Sequence, residues 1–87
     1  MSRSDLKMTL EAARINAGYT QVEAAERLGL KPTTLAGWEK DSTKLSYVEA
    51  HRLAKLYGIT PDLLFFGNKY DFIRKIKNQY RENERVN

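Results

Sequence analysis

Lys31, Thr33, Thr34, Gly37 and Lys40 are the residues whose types and spacing suggest chemistry, and that chemistry is contact rather than catalysis. Ammonium groups and hydroxyls donate hydrogen bonds to phosphate oxygens and base edges, and a glycine leaves room for close approach. Little else in the chain could react. His51 is the one histidine, with neither a second histidine nor a carboxylate at metal-ligand spacing. There is no cysteine, no glycine-rich phosphate loop and no nucleophile with a base beside it. No catalytic residue, metal site or cofactor is expected, and the chain is not read as an enzyme.

The contact residues need a scaffold, and helix punctuation supplies one. Sustained period-two alternation is absent, so the expected class is all-α. Thr9 is a candidate N-cap for a first helix carrying Leu10, Ala13 and Ile15 and stopped at Gly18. Thr20-Gln21-Val22-Glu23 is a capping box that opens a second helix running to Leu28 and ended by Gly29. Pro32 suits the first turn of a third helix that runs to about Lys40. Residues 41–44 read as a polar loop in which Asp41 tolerates a left-handed conformation. Ser46-Tyr47-Val48-Glu49 is a second capping box. It starts a fourth helix with Val48, Leu53, Leu56 and Tyr57 inward and a stop at Gly58. Thr60-Pro61-Asp62 caps a short fifth helix carrying Leu63, Leu64 and Phe66. From Lys69 to about Glu84 a sixth helix is expected, with Phe72, Ile73, Ile76 and Tyr80 on one side.

Two of these helices matter most. In the order second helix, tight turn, third helix, Ala25 is the small residue at the crossing and Gly29 supplies the positive φ of the turn. Ala24, Leu28, Leu30, Leu35 and Trp38 then face inward, and Trp38 is read as core. The third helix is left presenting Lys31, Thr33, Thr34, Ala36, Gly37 and Lys40, a face suited to the major groove of duplex DNA.

Composition agrees without deciding. The chain has 87 residues and a net charge of +4, which suits a polyanion. The excess is uneven: residues 1–68 carry +1 and residues 69–87 carry +3. We therefore divide the chain into a domain over 1–68 and a basic amphipathic tail over 69–87. No apolar run reaches the roughly 20 residues needed to span a bilayer. The N-terminal MSRSDLKM lacks a signal-peptide core, so a cytoplasmic protein without a membrane partner is expected.

The strings LEAARINAGYTQVEAAERLG, LKPTTLAGWEK and YVEAHRLAKLYGITPDLLF together resemble the lambda-repressor-like, Cro/cI-type (Xre) helix-turn-helix proteins over about Thr9 to Phe66. The likeness is greatest to small phage and mobile-element regulators of Gram-positive bacteria. It implies a compact five-helix domain whose third helix, about residues 32–40, is the recognition helix. It also implies roles. Gln21 resembles the glutamine that bonds a phosphate at the start of the second helix. Arg14 and Glu39 resemble a pair tying the first helix to the third, with Arg14 also able to face a phosphate. Lys31, Thr33, Thr34 and Gly37 occupy base-reading or backbone-clamping positions. Lys40, Ser42 and Lys44 match the phosphate-holding segment that follows.

Pro32 and Gly37 stand where the family often carries Gln, Arg, Lys or Ser, and neither can make a bidentate base contact. Direct readout is therefore expected to be sparse. The implied function is a sequence-specific double-stranded DNA-binding transcriptional regulator, in particular a repressor. One recognition helix covers few base pairs, so a homodimer is expected, formed on DNA or through the fifth or C-terminal helix. The alternative is an antitoxin or adaptor whose tail binds a protein partner. For the tail, packing back, pairing with a second copy and binding another protein all remain open.

Overall fold

The computed structural model describes residues 7–86, with side chains described for 7–79. The tail position Tyr80 falls outside the described side chains. The fold is all-α: α1 (Leu10–Asn16), α2 (Gln21–Leu28), α3 (Pro32–Lys40), α4 (Tyr47–Tyr57), a 3-10 turn at Pro61–Leu63, and α5 (Lys69–Val86).

Local chemistry sets the helix starts. The Thr9 hydroxyl accepts from Ala12 N at 3.1 Å and caps α1. Both capping boxes close. Glu23 N donates to Thr20 Oγ1 at 3.1 Å while Thr20 N donates to Glu23 Oε1 at 3.0 Å. Ser46 and Glu49 repeat the arrangement at α4. These bonds hold the Glu23 and Glu49 carboxyls below the ordinary glutamate value. α3 has no side-chain cap; Lys31 precedes Pro32, whose ring removes one orphan donor.

α2 packs on α3 and α4, and α1 packs on the same pair. Ala24 and Ala25 are fully buried, so the crossing helices approach closely. Gly29, at φ 71°, turns the chain between α2 and α3 in a conformation that favours glycine. Leu10, Leu28, Leu35, Leu53 and Leu64 fill the space between the helices, with Leu30 and Trp38 packed at its edge. Arg52 of α4 donates to Leu28 O at 2.7 Å, which satisfies an orphan carbonyl at the end of α2.

The structure differs from the sequence reading in four places. The short fifth helix is a single 3-10 turn, because Leu63 O and Phe65 N are taken by Met8 N and Met8 O, both at 2.8 Å. That pairing pulls the backbone straight after one turn. Asp41 is extended, at φ −151°, and its carboxylate accepts from Thr43 N at 2.9 Å; no left-handed residue is needed there. Val48 is 67% exposed, because the inward face of α4 begins at Ala50 and continues through Leu53, Ala54 and Tyr57. Ile15, at the end of α1, is also exposed.

α5 does not start from a loose linker. Ser42 N donates to Gly67 O at 2.9 Å, Gly67 N donates to Ser42 Oγ at 2.9 Å, and Asp41 bridges Asn68. The chain entering α5 is thus pinned beside the end of α3. Phe72 stacks on Phe65 with ring centroids 4.5 Å apart, while Ile73 and Ile76 are exposed.

Candidate nucleic-acid interface

α3 sorts its residues cleanly. Leu35 and Glu39 are buried and Trp38 is half-buried, whereas Pro32, Thr33, Thr34, Gly37 and Lys40 are exposed. Thr33, Gly37 and Lys40 lie at spacings of four and three, so they form one stripe along the helix. Lys31 stands exposed at its N-cap. A Cβ on Gly37 would meet no atom within 4 Å. Packing inside the protein therefore does not require glycine there, and the stripe has open space above its centre.

Beneath the stripe, Glu39 organises three elements. Its carboxylate accepts from Arg14 Nε at 2.7 Å, Arg14 Nη2 at 3.3 Å and Gln21 Nε2 at 2.9 Å. Arg14 Nη1 also donates to Tyr19 O at 2.8 Å. The network ties α1, the start of α2 and the end of α3 together and neutralises a carboxylate that would otherwise face an incoming polyanion. The bond to Glu39 raises the Arg14 pKa above its ordinary value, against the opposing effect of burial. Tyr57, buried nearby with its hydroxyl unpaired among the described residues, is pushed up to about 12 by burial and by the Glu39 charge.

The residues singled out from sequence fall into three groups. Thr33, Gly37, Lys40 and Gln21 line one open cleft, whose rim also includes Glu11, Ala36 and Lys69. Thr34, Lys31 and Lys44 are exposed outside that cleft. Arg14 and Ser42 are buried. Three of the Arg14 N–H groups are committed within the protein, so the side chain is a brace rather than an outstretched cation. Both Ser42 N and Ser42 Oγ are bonded to Gly67, so in the free protein Ser42 is the clamp that seats α5. Ala25, Gly29, Trp38 and Glu39 sit at the crossing, the turn, the core edge and the network hub respectively.

Sequence reasoning missed Lys69, Glu11 and Arg52. Lys69 Nζ lies 3.4 Å from Glu11 Oε2, a pair 58 residues apart in sequence. No local pattern announces such a contact. The described residues contain no group of three potential metal ligands and no helix long and apolar enough to cross a membrane.

Comparison with known proteins agrees with this geometry. A helix-turn-helix family model matches residues 10–64, which cover α1 to the 3-10 turn. The chain is 38% identical over 55 residues to the HTH-type transcriptional regulator ImmR of Bacillus subtilis (strain 168). That match covers 63% of this chain and 43% of the relative, so the chain spans less than half the length of the protein it resembles. No solved structure matches. The match over α1 to Leu64, together with α2 and α3 crossing at Ala25 through the Gly29 turn, places the chain in the helix-turn-helix family, of the Cro/cI (Xre) type.

Proposed function

We propose that this protein is a sequence-specific, double-stranded DNA-binding transcriptional regulator, that it acts in the cytoplasm as a repressor of phage or mobile-element type, and that it performs no reaction of its own. The observation that carries the reading is the exposed Thr33–Gly37–Lys40 stripe of α3, held rigid by the Arg14–Glu39–Gln21 network. In this reading α3 enters the major groove. Thr33, Thr34, Lys31 and the open space at Gly37 meet base edges. Gln21, at the start of α2 where backbone N–H groups point outward, takes a phosphate. Lys40 and Lys44 take others, while Arg14 supports Gln21 through Glu39.

Such a surface offers few bidentate donors, so affinity comes largely from phosphate contacts and specificity from threonine and apolar contacts, DNA shape and a second subunit. Two copies on half-sites about 10 base pairs apart would give the discrimination that one helix cannot. The test is fluorescence anisotropy with duplexes from the gene's own upstream region against scrambled duplexes at physiological salt. A preference of at least about 10³ is typical of specific recognition; equal binding to both refutes sequence-specific regulation.

A second reading gives the tail a protein partner, as in an antitoxin or adaptor. Tyr70, Ile73 and Ile76 are exposed on α5 and would be its surface. Loss of partner binding on Ile73→Asp, with DNA binding kept, would favour it.

A further inference from the structure

We propose that Lys69, the first residue of α5, is a DNA-phosphate ligand that completes the backbone-binding rim of the α3 cleft, with Glu11 as its counter-ion in the free protein. The inference rests on the DNA-binding reading above and extends it to a residue outside the helix-turn-helix.

Three observations converge on it. First, Lys69 is held in place. The pair of hydrogen bonds between Ser42 and Gly67 and the Asp41–Asn68 bridge fix the residues immediately before it to the end of α3. Asn68 Oδ1 then accepts from Tyr70 N at 2.9 Å, which seats the first turn of α5. A tail cation on a free linker would lose far more freedom on binding than this one does.

Second, Lys69 lines the same cleft as Gln21, Thr33, Gly37 and Lys40, three of them on α3 and one at the start of α2. A duplex seated on α3 would bring its backbone along this rim.

Third, the charges of the cleft favour it. Glu39 is spent on Arg14 and Gln21. That leaves Lys40 and Glu11, opposite in sign and without excess. Lys69 supplies the surplus positive charge, and it covers a half-exposed carboxylate that would otherwise repel a phosphate. Its ammonium has three donors, and Glu11 Oε2, at 3.4 Å, is a long and partly solvated partner for one of them. The group can therefore bridge Glu11 and a phosphate oxygen, or exchange one for the other.

The experiment uses the full chain and a random-sequence duplex of about 20 base pairs, since phosphate contact is independent of sequence. Binding is measured between 50 and 200 mM salt for wild type, Lys69→Gln, Lys69→Arg and Glu11→Gln. Removing one phosphate contact lowers the salt slope by about 0.9, so Lys69→Gln should shrink the affinity change over that range by about 3.5-fold. Lys69→Arg should keep the wild-type slope. Glu11→Gln should bind more tightly than wild type, because it removes a repulsive carboxylate and frees the cation. A merely structural Lys69–Glu11 pair predicts the opposite for Glu11→Gln, which would then weaken binding along with thermal stability. An unchanged slope in Lys69→Gln, or weaker binding by Glu11→Gln, overturns the proposal. Wild type that shows no salt-dependent binding at all overturns the DNA-binding reading itself.

Discussion

Replacing Glu39 with alanine should strike at the charge network that joins α1, α2 and α3, and the structure says how hard. The Glu39 side chain is 2% exposed and that of Arg14 is 11% exposed, so both charges are largely removed from water. Glu39→Ala deletes three hydrogen bonds and leaves the guanidinium buried without a counter-ion. Breaking a buried pair in this way costs about 3–5 kcal/mol. Arg14 keeps its bond to Tyr19 O, which favours the lower end, about 3 kcal/mol. For a domain of this size each kcal/mol moves Tm by about 4–8 °C, so Tm should fall by about 12–24 °C. The assay is thermal and urea unfolding followed by circular dichroism. It should include the double variant Arg14→Met/Glu39→Met, in which the unpaired charge is absent. The double variant should recover most of the lost stability, while DNA binding should stay impaired because Gln21 has lost its anchor. A loss below about 1 kcal/mol for Glu39→Ala, the range of an exposed pair, would mean that the Arg14–Glu39 pair is not desolvated.

Other substitutions separate stability from binding. Gly37→Ala should raise stability by up to about 1 kcal/mol, because alanine favours the helix and its Cβ meets nothing in the protein. If α3 approaches DNA at this point, anisotropy should show the same variant binding duplex less well, so stability and affinity move in opposite directions. Gly67→Ala places a Cβ 2.8 Å from Phe65 Cζ at a φ of +152°, against a ring already stacked on Phe72. It should cost about 1–3 kcal/mol and raise amide exchange at the start of α5. Tyr57 ties stability to alkaline pH: its pKa is about 12 in the fold against 10 when exposed. The stabilisation this implies is complete below pH 10 and is lost as the pH rises toward 12, amounting to about 2–3 kcal/mol in full. Tyrosine absorbance should show Tyr57 as a late-titrating group, and Tyr57→Phe should remove both that group and its share of the alkaline loss.

What was legible in the sequence was local. Thr9, Thr20 and Ser46 announce helix starts because each cap is closed by a residue three positions later. Gly29 announces the turn, and the spacing of Leu35 and Trp38 against Thr33, Gly37 and Lys40 announces which face of α3 is free, whereas the burial of Glu39 depends on Arg14 and Gln21. What was illegible depends on distant partners. Nothing near Leu63 signals that Met8 will claim the backbone on either side of Leu64 and stop the helix after one turn. Ser42 reads as an exposed loop hydroxyl until Gly67 arrives to use it. Val48 fits the periodicity of an inward face, but α4 turns that position to solvent because Ala50 and Leu53 meet the core first. Lys69 belongs by composition to a basic tail, and only the clamp at residues 67–68 brings it to the cleft.

Whether the exposed face of α3 reads DNA is decided by substituting that face and measuring both affinity and discrimination. Anisotropy would compare wild type with Thr33→Ala/Lys40→Ala on a duplex from the gene's upstream region and on its scrambled counterpart. Lys55→Ala, exposed on α4, serves as the control. The double variant should lose affinity for both duplexes through Lys40. Discrimination between them should fall by about tenfold or more through Thr33, the roughly 1–3 kcal/mol of a lost base contact. The control should bind as wild type does. Wild-type affinity and discrimination in the double variant would mean that α3 does not read DNA through this face.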